Sequence, residues 1–347
     1  MADHARDDPT RRIRRLPNDH PPMKVLVIGA GAIGGLLAAR FAIAGHAVSA
    51  VARGPHLAAM RDAGLRLESD RGVEVAKLAV SDDPAAFGSQ DAVFLTLKAY
   101  SIAAMLPRLA PVLGVETPVV TAINGLPWWY FQRVGGGDEG RTLACLDPEG
   151  AMARALDACH LVGCVVHAAA EVVAPGVIRH TGGRGFILGE LDGALSPRLE
   201  ALAALLRGAG LEPTLSSGIR DDIWTKLIGN LSYNPVAALT GARMDEINAN
   251  TALIGLIRTM MEEAMAVGQA YGARFTVTLE ERLAMARRLG AARISMLQDL
   301  ERGRPLETDA IVGAVVELAQ RKAIEAPMTE AVLALLRERA RHASANP

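Results

Sequence analysis

The chain has 347 residues, half of them hydrophobic, and its 37 Lys and Arg against 38 Asp and Glu leave a net charge of −1. Such a balance gives no general attraction to nucleic acid or a membrane surface, and no uncharged apolar run reaches the roughly 18 residues of a membrane span. Cys145, Cys159 and Cys164 lack C-x-x-C spacing, so neither a disulfide framework nor a metal site is expected; the expectation is a cytoplasmic protein of about two domains that acts on a small molecule.

Residues 1–22, MADHARDDPTRRIRRLPNDHPP, are charged, proline-bearing and almost without apolar side chains. A disordered N-terminal extension is expected there. The pattern changes at Met23. Val25 to Ile28 form a short apolar run that reads as a buried parallel strand, and Gly29-Ala30-Gly31-Ala32-Ile33-Gly34 follows it directly and opens an apolar helix, Leu36 to Ala44. This is a G-x-G-x-x-G fingerprint in its required setting, with a second strand, Ala47 to Val51, inside the same thirty-residue unit. Gly29 permits the tight turn, Gly31 lets a pyrophosphate approach the backbone, and Gly34 lets helix and strand pack closely. Where an NAD or FAD site usually places an acid, this chain has Ala52-Arg53. An arginine there suits the 2′-phosphate of NADPH, because its planar fork holds phosphate oxygens bidentately; the competing reading is a solvated surface arginine.

Downstream, His56 to Ala63 reads as a helix and Leu65 to Val80 as shorter strands. Ala92 to Leu97 is a buried strand ending at Lys98, Ser101 to Leu113 a helix, and Pro118 to Ile123 a strand ending at Asn124. Alternation of this kind implies a doubly wound, mostly parallel sheet. Ligands of such sheets bind outside the carboxyl ends of the strands, so the glycine loop, Lys98 and Asn124 converge on one edge. Leu161 to Gly189 has β character; His167 and His180 within it are expected to be hydrogen-bonded structural histidines. Ser196 to Gly208 is an amphipathic helix, and Leu215 to Gly218 marks the crossing out of an NADP-binding Rossmann-like domain, 23–217.

From Ile219 the apolar spacing is helical throughout, in Ile223 to Leu239, Ala252 to Ala270, Leu279 to Leu289, Ile311 to Ala323 and Met328 to Arg337. An all-helical substrate and catalytic domain is expected over 218–342. In its first helix Lys226, Asn230 and Asn234 stand at i, i+4 and i+8 and share a face, with Pro235 expected to kink or end the helix. One amine and two amides among apolar residues suit a small oxo-acid. A solvent-facing stripe is the alternative, although such stripes favour Glu, Lys and Arg over Asn. A second polar group runs from Ser295 to Asp299 and includes Glu307, which on local grounds stabilises a helix N-terminus.

These residues carry a resemblance over Met23 to about Arg337. GAGAIG at Gly29 to Gly34, LKAY at Leu97 to Tyr100, INGLPWW at Ile123 to Trp129, WTKLIGNLSYNPVAALTG at Trp224 to Gly241 and SMLQDLERGRPLETD at Ser295 to Asp309 resemble the ketopantoate reductase (2-dehydropantoate 2-reductase) family. The resemblance implies a Rossmann domain followed by a helical domain similar to that of 6-phosphogluconate dehydrogenases. It also implies Lys226 as catalytic lysine, Asn230, Asn234 and Ser295 as substrate ligands, Glu307 completing the active site, and Arg53, Lys98, Asn124 and Ala169 on the NADPH side. Met244 and Ala292 depart from the family pattern, each standing where a polar residue is expected. The expected activity is NADPH-dependent reduction of a small branched 2-oxo acid, 2-dehydropantoate first. A paralogous reductase of another 2-oxo acid, or an NADPH-sensing protein without turnover, is the alternative. No nucleic acid, membrane or metal is expected as partner, and a homodimer is left open.

Overall fold

The computed structural model describes residues 21–345. Residues 1–20, nearly all of the extension expected to be disordered, lie outside the described residues. The strands are β1 Lys24–Ile28, β2 Ala47–Val51, β3 Leu65–Ser69, β4 Gly72–Ala76, β5 Ala79–Ser81, β6 Ala92–Leu95, β7 Val119–Ala122, β8 Leu161–Ala174, β9 Val177–Glu190 and β10 Glu212–Leu215. They make one sheet in the order β4-β3-β9-β8-β7-β6-β1-β2-β5, with β10 against β9. β1 pairs in parallel with β2 and β6, and β7 and β8 continue the parallel set. β8 then turns back into antiparallel β9, whose other edge takes β3 and β10.

Both faces of β1 are covered, as an uninterrupted apolar run requires. Val25 and Val27 pack with α1, Ala32–Ile43, on one side. Leu26 and Ile28 face the other way into a core that also holds Trp128, Trp129, Tyr130 and Phe131. The remaining helices of the sheet domain are α2 Gly54–Ala63, α3 Ile102–Met105, α4 Ala151–Ala155 and α5 Pro197–Gly208. A helix over 101–113 does not form as expected: α3 gives way to two 3₁₀ turns, Leu106–Arg108 and Ala110–Val112. Pro107 and Pro111 sit in those turns, each lacking the N–H that a helix interior would use.

The chain leaves β10 at Leu215 and enters α6, Ile219–Thr240, followed by α7 Met244–Ala249, α8 Thr251–Ala270, α9 Leu279–Arg287, α10 Ser295–Glu301, a π turn at Asp309–Gly313, α11 Ala314–Arg321 and α12 Pro327–Ala345. All of the described residues past Leu215 are helix or connection, in keeping with the periodicity. α7 and α10 are too short for a periodic pattern to reveal. Pro235 neither ends nor breaks α6, which runs on to Thr240 and closes with Gly241 at φ +71°, its N–H bonded to the Ala237 carbonyl. Asn234, Pro235, Val236 and Ala237 are all buried, so packing on the surrounding helices offsets a cost of about 3 kcal/mol for an interior proline.

The sheet core and the helical core are continuous. Ile219, Ile223, Trp224, Leu227 and Ile228 of α6 belong to the same cluster as Leu26, Ile28, Val93 and Leu95 of the sheet. Trp224 Nε1 donates to Tyr130 Oη at 2.8 Å across that junction.

The glycine loop makes a stability prediction. A Cβ at Gly34 would stand 2.0 Å from the Gly29 carbonyl oxygen and 2.3 Å from Thr96 Oγ1, whereas one at Gly31 would meet nothing within 4 Å. Gly34→Ala should therefore cost about 1–3 kcal/mol or more, and Gly31→Ala should leave the urea midpoint where it is. Equal midpoints for the two variants would contradict the packing described.

Candidate active site

The loop between β1 and α1 is drawn tight by three donors. Gly29 and Ala30 donate to the Val51 carbonyl at 3.1 and 3.0 Å, and the Thr96 hydroxyl shares its one proton between the Gly29 and Ile28 carbonyls. Gly29 takes φ +98°, and a side chain there would collide with Leu97. Ala32 begins α1, Ala30 is buried and Ile33 half-buried, and no side chain caps the helix at Gly31. The open space at Gly31 and the uncapped first turn together fit the pyrophosphate of a dinucleotide. Thr96, which pins this loop, carries no sequence motif and was not among the expected site residues. Arg53 is exposed and extended just past the end of β2, at the N-terminus of α2.

Across the strand ends, Lys226 Nζ donates to Asn124 Oδ1 at 2.8 Å, joining α6 to the loop after β7. Asn124, Gly125, Lys226 and Asn230 line one small pocket with Ile123, Val165, Ile223 and Leu227. Burial pushes the Lys226 ammonium down to about 8; the Arg282 charge adds to that shift and the Glu307 charge opposes it. Cys164 lies close by but is itself pushed up to about 12 by burial, so at pH 7 it is a neutral thiol and no counter-ion. Asn234, two turns along α6 from Lys226, is buried deeper in the helical domain.

Lys98 and Glu307 form a second knot. Lys98 Nζ lies 2.8 Å from both Asp299 Oδ2 and Glu307 Oε2, and Glu307 Oε1 accepts the Ala99 N–H at 3.1 Å. Burial lowers the Lys98 pKa, but Glu307 and Asp299 outweigh it and the net shift is upward. The resemblance implies that Glu307 completes the active site; the lysine it holds is Lys98, not Lys226. Asp299, the last residue of the polar group that begins at Ser295, shares that lysine. Nearby, the Ala310 carbonyl of the π turn accepts the Leu126 N–H at 2.8 Å. Only glycine fits at 125 in this contact, since a Cβ would lie 2.3 Å from that same oxygen.

Ser295 and Ala169 are not drawn into the pocket lining. Ser295 is exposed at the first turn of α10, and Ala169 is exposed on the β8–β9 hairpin beside a register shift. Of the two histidines expected to be structural, His180 is hydrogen-bonded, Nε2 to the Gly183 carbonyl at 2.6 Å. His167 makes no hydrogen bond to a described residue. It keeps access to solvent, yet burial of the ring and then the Lys226 and Arg282 charges hold it down to about 4, so it is neutral at pH 7. Among the described residues there is no cluster able to hold a metal ion and no helix long and apolar enough to cross a membrane.

The depressed Lys226 pKa can be read directly. In lysine-labelled protein, its ammonium resonance should titrate near pH 8, and Glu307→Gln should move the midpoint lower, because a negative charge that favours the ammonium is removed. A midpoint above 10 in the unmodified protein would overturn the buried-amine description.

Comparison with known proteins matches both halves of the chain. The profile of ketopantoate reductase PanE/ApbA covers residues 25–193 and that of ketopantoate reductase PanE/ApbA, C terminal, residues 218–340. A 2-dehydropantoate 2-reductase of Mesorhizobium japonicum is 47% identical over 316 residues, covering 91% of this chain and 97% of the relative. One from Archaeoglobus fulgidus is 30% identical over 315 residues, 90% of this chain and 97% of its own. The crystal structure of a ketopantoate reductase candidate from Ralstonia solanacearum MolK2 superposes with a TM-score of 0.88 at 41% identity, covering 93% of this chain and 99% of that one.

Proposed function

The chain belongs to the ketopantoate reductase family, and on that footing we propose that it reduces the ketone of 2-dehydropantoate to give (R)-pantoate in pantothenate biosynthesis, with NADPH as reductant. The reaction consumes one 2-oxo acid, one reduced cofactor and one proton, and yields a 2-hydroxy acid and the oxidised cofactor. The observation that carries this reading is Lys226 held against Asn124 at the strand ends. An amine there, with its pKa brought down to about 8, is still mostly protonated at pH 7 and releases its proton readily, as a general acid near neutrality should.

Gly29 to Gly34 would hold the cofactor's pyrophosphate and Arg53 its 2′-phosphate. When bound, the nicotinamide supplies the hydride that goes to the ketone carbon. Lys226 donates its proton to the alkoxide oxygen that forms there. The Asn124 carbonyl oxygen accepts from the ammonium and so fixes the direction of one N–H, leaving the others for the substrate. Asn230, on the same wall of the pocket, together with Asn234 and Ser295, would hold the substrate's polar groups in reach of Lys226. Glu307 acts through Lys98, holding it and the start of the loop after β6.

One observation favours a second substrate within the same chemistry. Met244 and Ala292, the two departures from the family pattern, adjoin each other through a 3.1 Å hydrogen bond from the Met244 N–H to the Ala292 carbonyl. Met244 is buried with Tyr233, Val236 and Ile247. Where the family pattern has two polar side chains this chain has none, which suits a branched 2-oxo acid without a terminal hydroxyl.

A panel of 2-oxo acids followed by loss of NADPH absorbance tests the reading. Lys226→Ala should lower kcat by about 10² to 10⁴, the usual worth of a general acid, with cofactor affinity nearly unchanged. Turnover near the unmodified rate in that variant would remove the catalytic assignment.

Cofactor choice gives a separate test. Arg53→Asp should weaken NADPH binding by about 2 kcal/mol or more, since a charge-assisted phosphate contact is replaced by repulsion. NADH binding should change little. Equal losses for both cofactors would sink the 2′-phosphate assignment.

A further inference from the structure

Among the described residues the part-buried arginines are, with one exception, satisfied. Arg220 donates to the Tyr130, Leu191 and Gln132 carbonyls at 2.8, 2.5 and 2.5 Å. Arg198 forks onto Glu190 at 2.6 and 2.5 Å, and Arg40 meets Glu74 at 3.2 Å. Arg282, on α9, has no carboxylate within 4.0 Å among the described residues. Its Nε is buried without a partner. Its other polar contacts are a long one from Nη2 to the Lys226 carbonyl, 3.5 Å, and one from Nη1 to Met285 Sδ, 3.9 Å. A part-buried guanidinium whose Nε is left without an acceptor is costly, and its charge also helps to lower the Lys226 pKa.

Its placement depends on a missing side chain. The guanidinium rests on Gly229 of α6, where a Cβ would lie 2.1 Å from Nη2 and 2.4 Å from Nε. Gly229 is three residues beyond Lys226, hence about one 5.4 Å turn along the same helix. In a 2-oxo acid the carboxylate is bonded to the ketone carbon. Groups that receive the ketone oxygen and the carboxylate must therefore be neighbours, and Lys226 and Arg282 are. His167, which also feels both charges, is neutral, and no carboxylate of the described residues pairs with either cation, Glu307 being bound to Lys98.

We propose that Arg282 binds the carboxylate of the 2-oxo acid and sets the preference for acids over neutral ketones, an inference that rests on the reductase reading above. The planar fork of a guanidinium matches a carboxylate bidentately. The substrate supplies the acceptors that the free protein lacks, and the two cations share one anion.

The test compares a 2-oxo acid with its primary amide, in the full-length enzyme at saturating NADPH. In Arg282→Gln the KM for the acid should rise about 10²-fold, the worth of charged hydrogen bonds. kcat should move by only a few-fold, and the amide's kinetics should stay as they were. Arg282→Lys should recover part of the loss. An acid preference retained in Arg282→Gln, or a fall confined to kcat, overturns the proposal.

Should Arg282→Gln not fold, Gly229→Ala gives the same information. The added methyl is compatible with a helix, and the three atoms nearest to it all belong to the Arg282 guanidinium, so acid preference should drop while the fold is kept; intact preference overturns the proposal. Calorimetric titration with oxamate separates this inference from the reductase reading. If the unmodified enzyme reduces no 2-oxo acid, that reading falls. Arg282 is then upheld by oxamate binding that is lost in Arg282→Gln, and overturned by equal binding in both or by none to the unmodified protein.

Discussion

Everything at this site depends on where α6 is clamped. Its first turn lies directly on the sheet, because β8 and β9 present glycine where it crosses them: a Cβ at Gly163 would lie 2.6 Å from Ile219 and one at Gly189 would lie 2.7 Å from it. Trp224 is then wedged between Tyr130 of the sheet domain and Gly268 of α8, whose own Cβ would come within 3.0 Å of the indole. An apolar junction of this kind is close-packed and yields little to small displacements. The helix cannot slide, so Lys226 stays at the ends of the parallel strands with its amine against Asn124.

That confinement is also the source of the chemistry. An ammonium removed from water loses part of its advantage over the free amine, and Glu307, the carboxylate whose charge favours the Lys226 ammonium, is already bound to Lys98 and Ala99. The knot of Lys98, Asp299 and Glu307 thus does two things. It ties the loop after β6 to the helical domain, and it keeps carboxylates from pairing with Lys226. The π turn at Asp309–Gly313 adds a backbone tie by turning the Ala310 carbonyl to the Leu126 N–H, in the position at functional sites where such turns are often found.

A chain with a net charge of −1 therefore presents a locally cationic cleft. The Arg282 guanidinium rests on Gly229, one turn along α6 from Lys226, His167 beside the two cations is neutral, and Asp299 and Glu307 are bound to Lys98. Global charge, useful for excluding nucleic acid or a membrane surface as a partner, says nothing about this local field.

The sequence alone determined the elements that short-range backbone physics controls. The strand, glycine loop and helix at Lys24 to Ile43 were legible because each glycine answers a local demand of turn or contact, and the shared face of Lys226 and Asn230 followed from helical geometry. Proline marked the limit of that reasoning. Pro107 and Pro111 dissolve a helix that apolar spacing suggested, while Pro235 sits inside one that runs past it to Thr240; burial, not the residue, decides between the two outcomes. Tertiary structure alone decided which polar groups meet. Lys226 and Asn124 are 102 residues apart, and Lys98 is 201 from Asp299 and 209 from Glu307. Glu307 read locally is a helix-terminal acid, Asp299 is the end of a short polar group, and Arg282 and Thr96 have no signature at all. Their roles come from what the continuous core brings against them, and no pattern within a few residues records a contact that the packing of two domains creates.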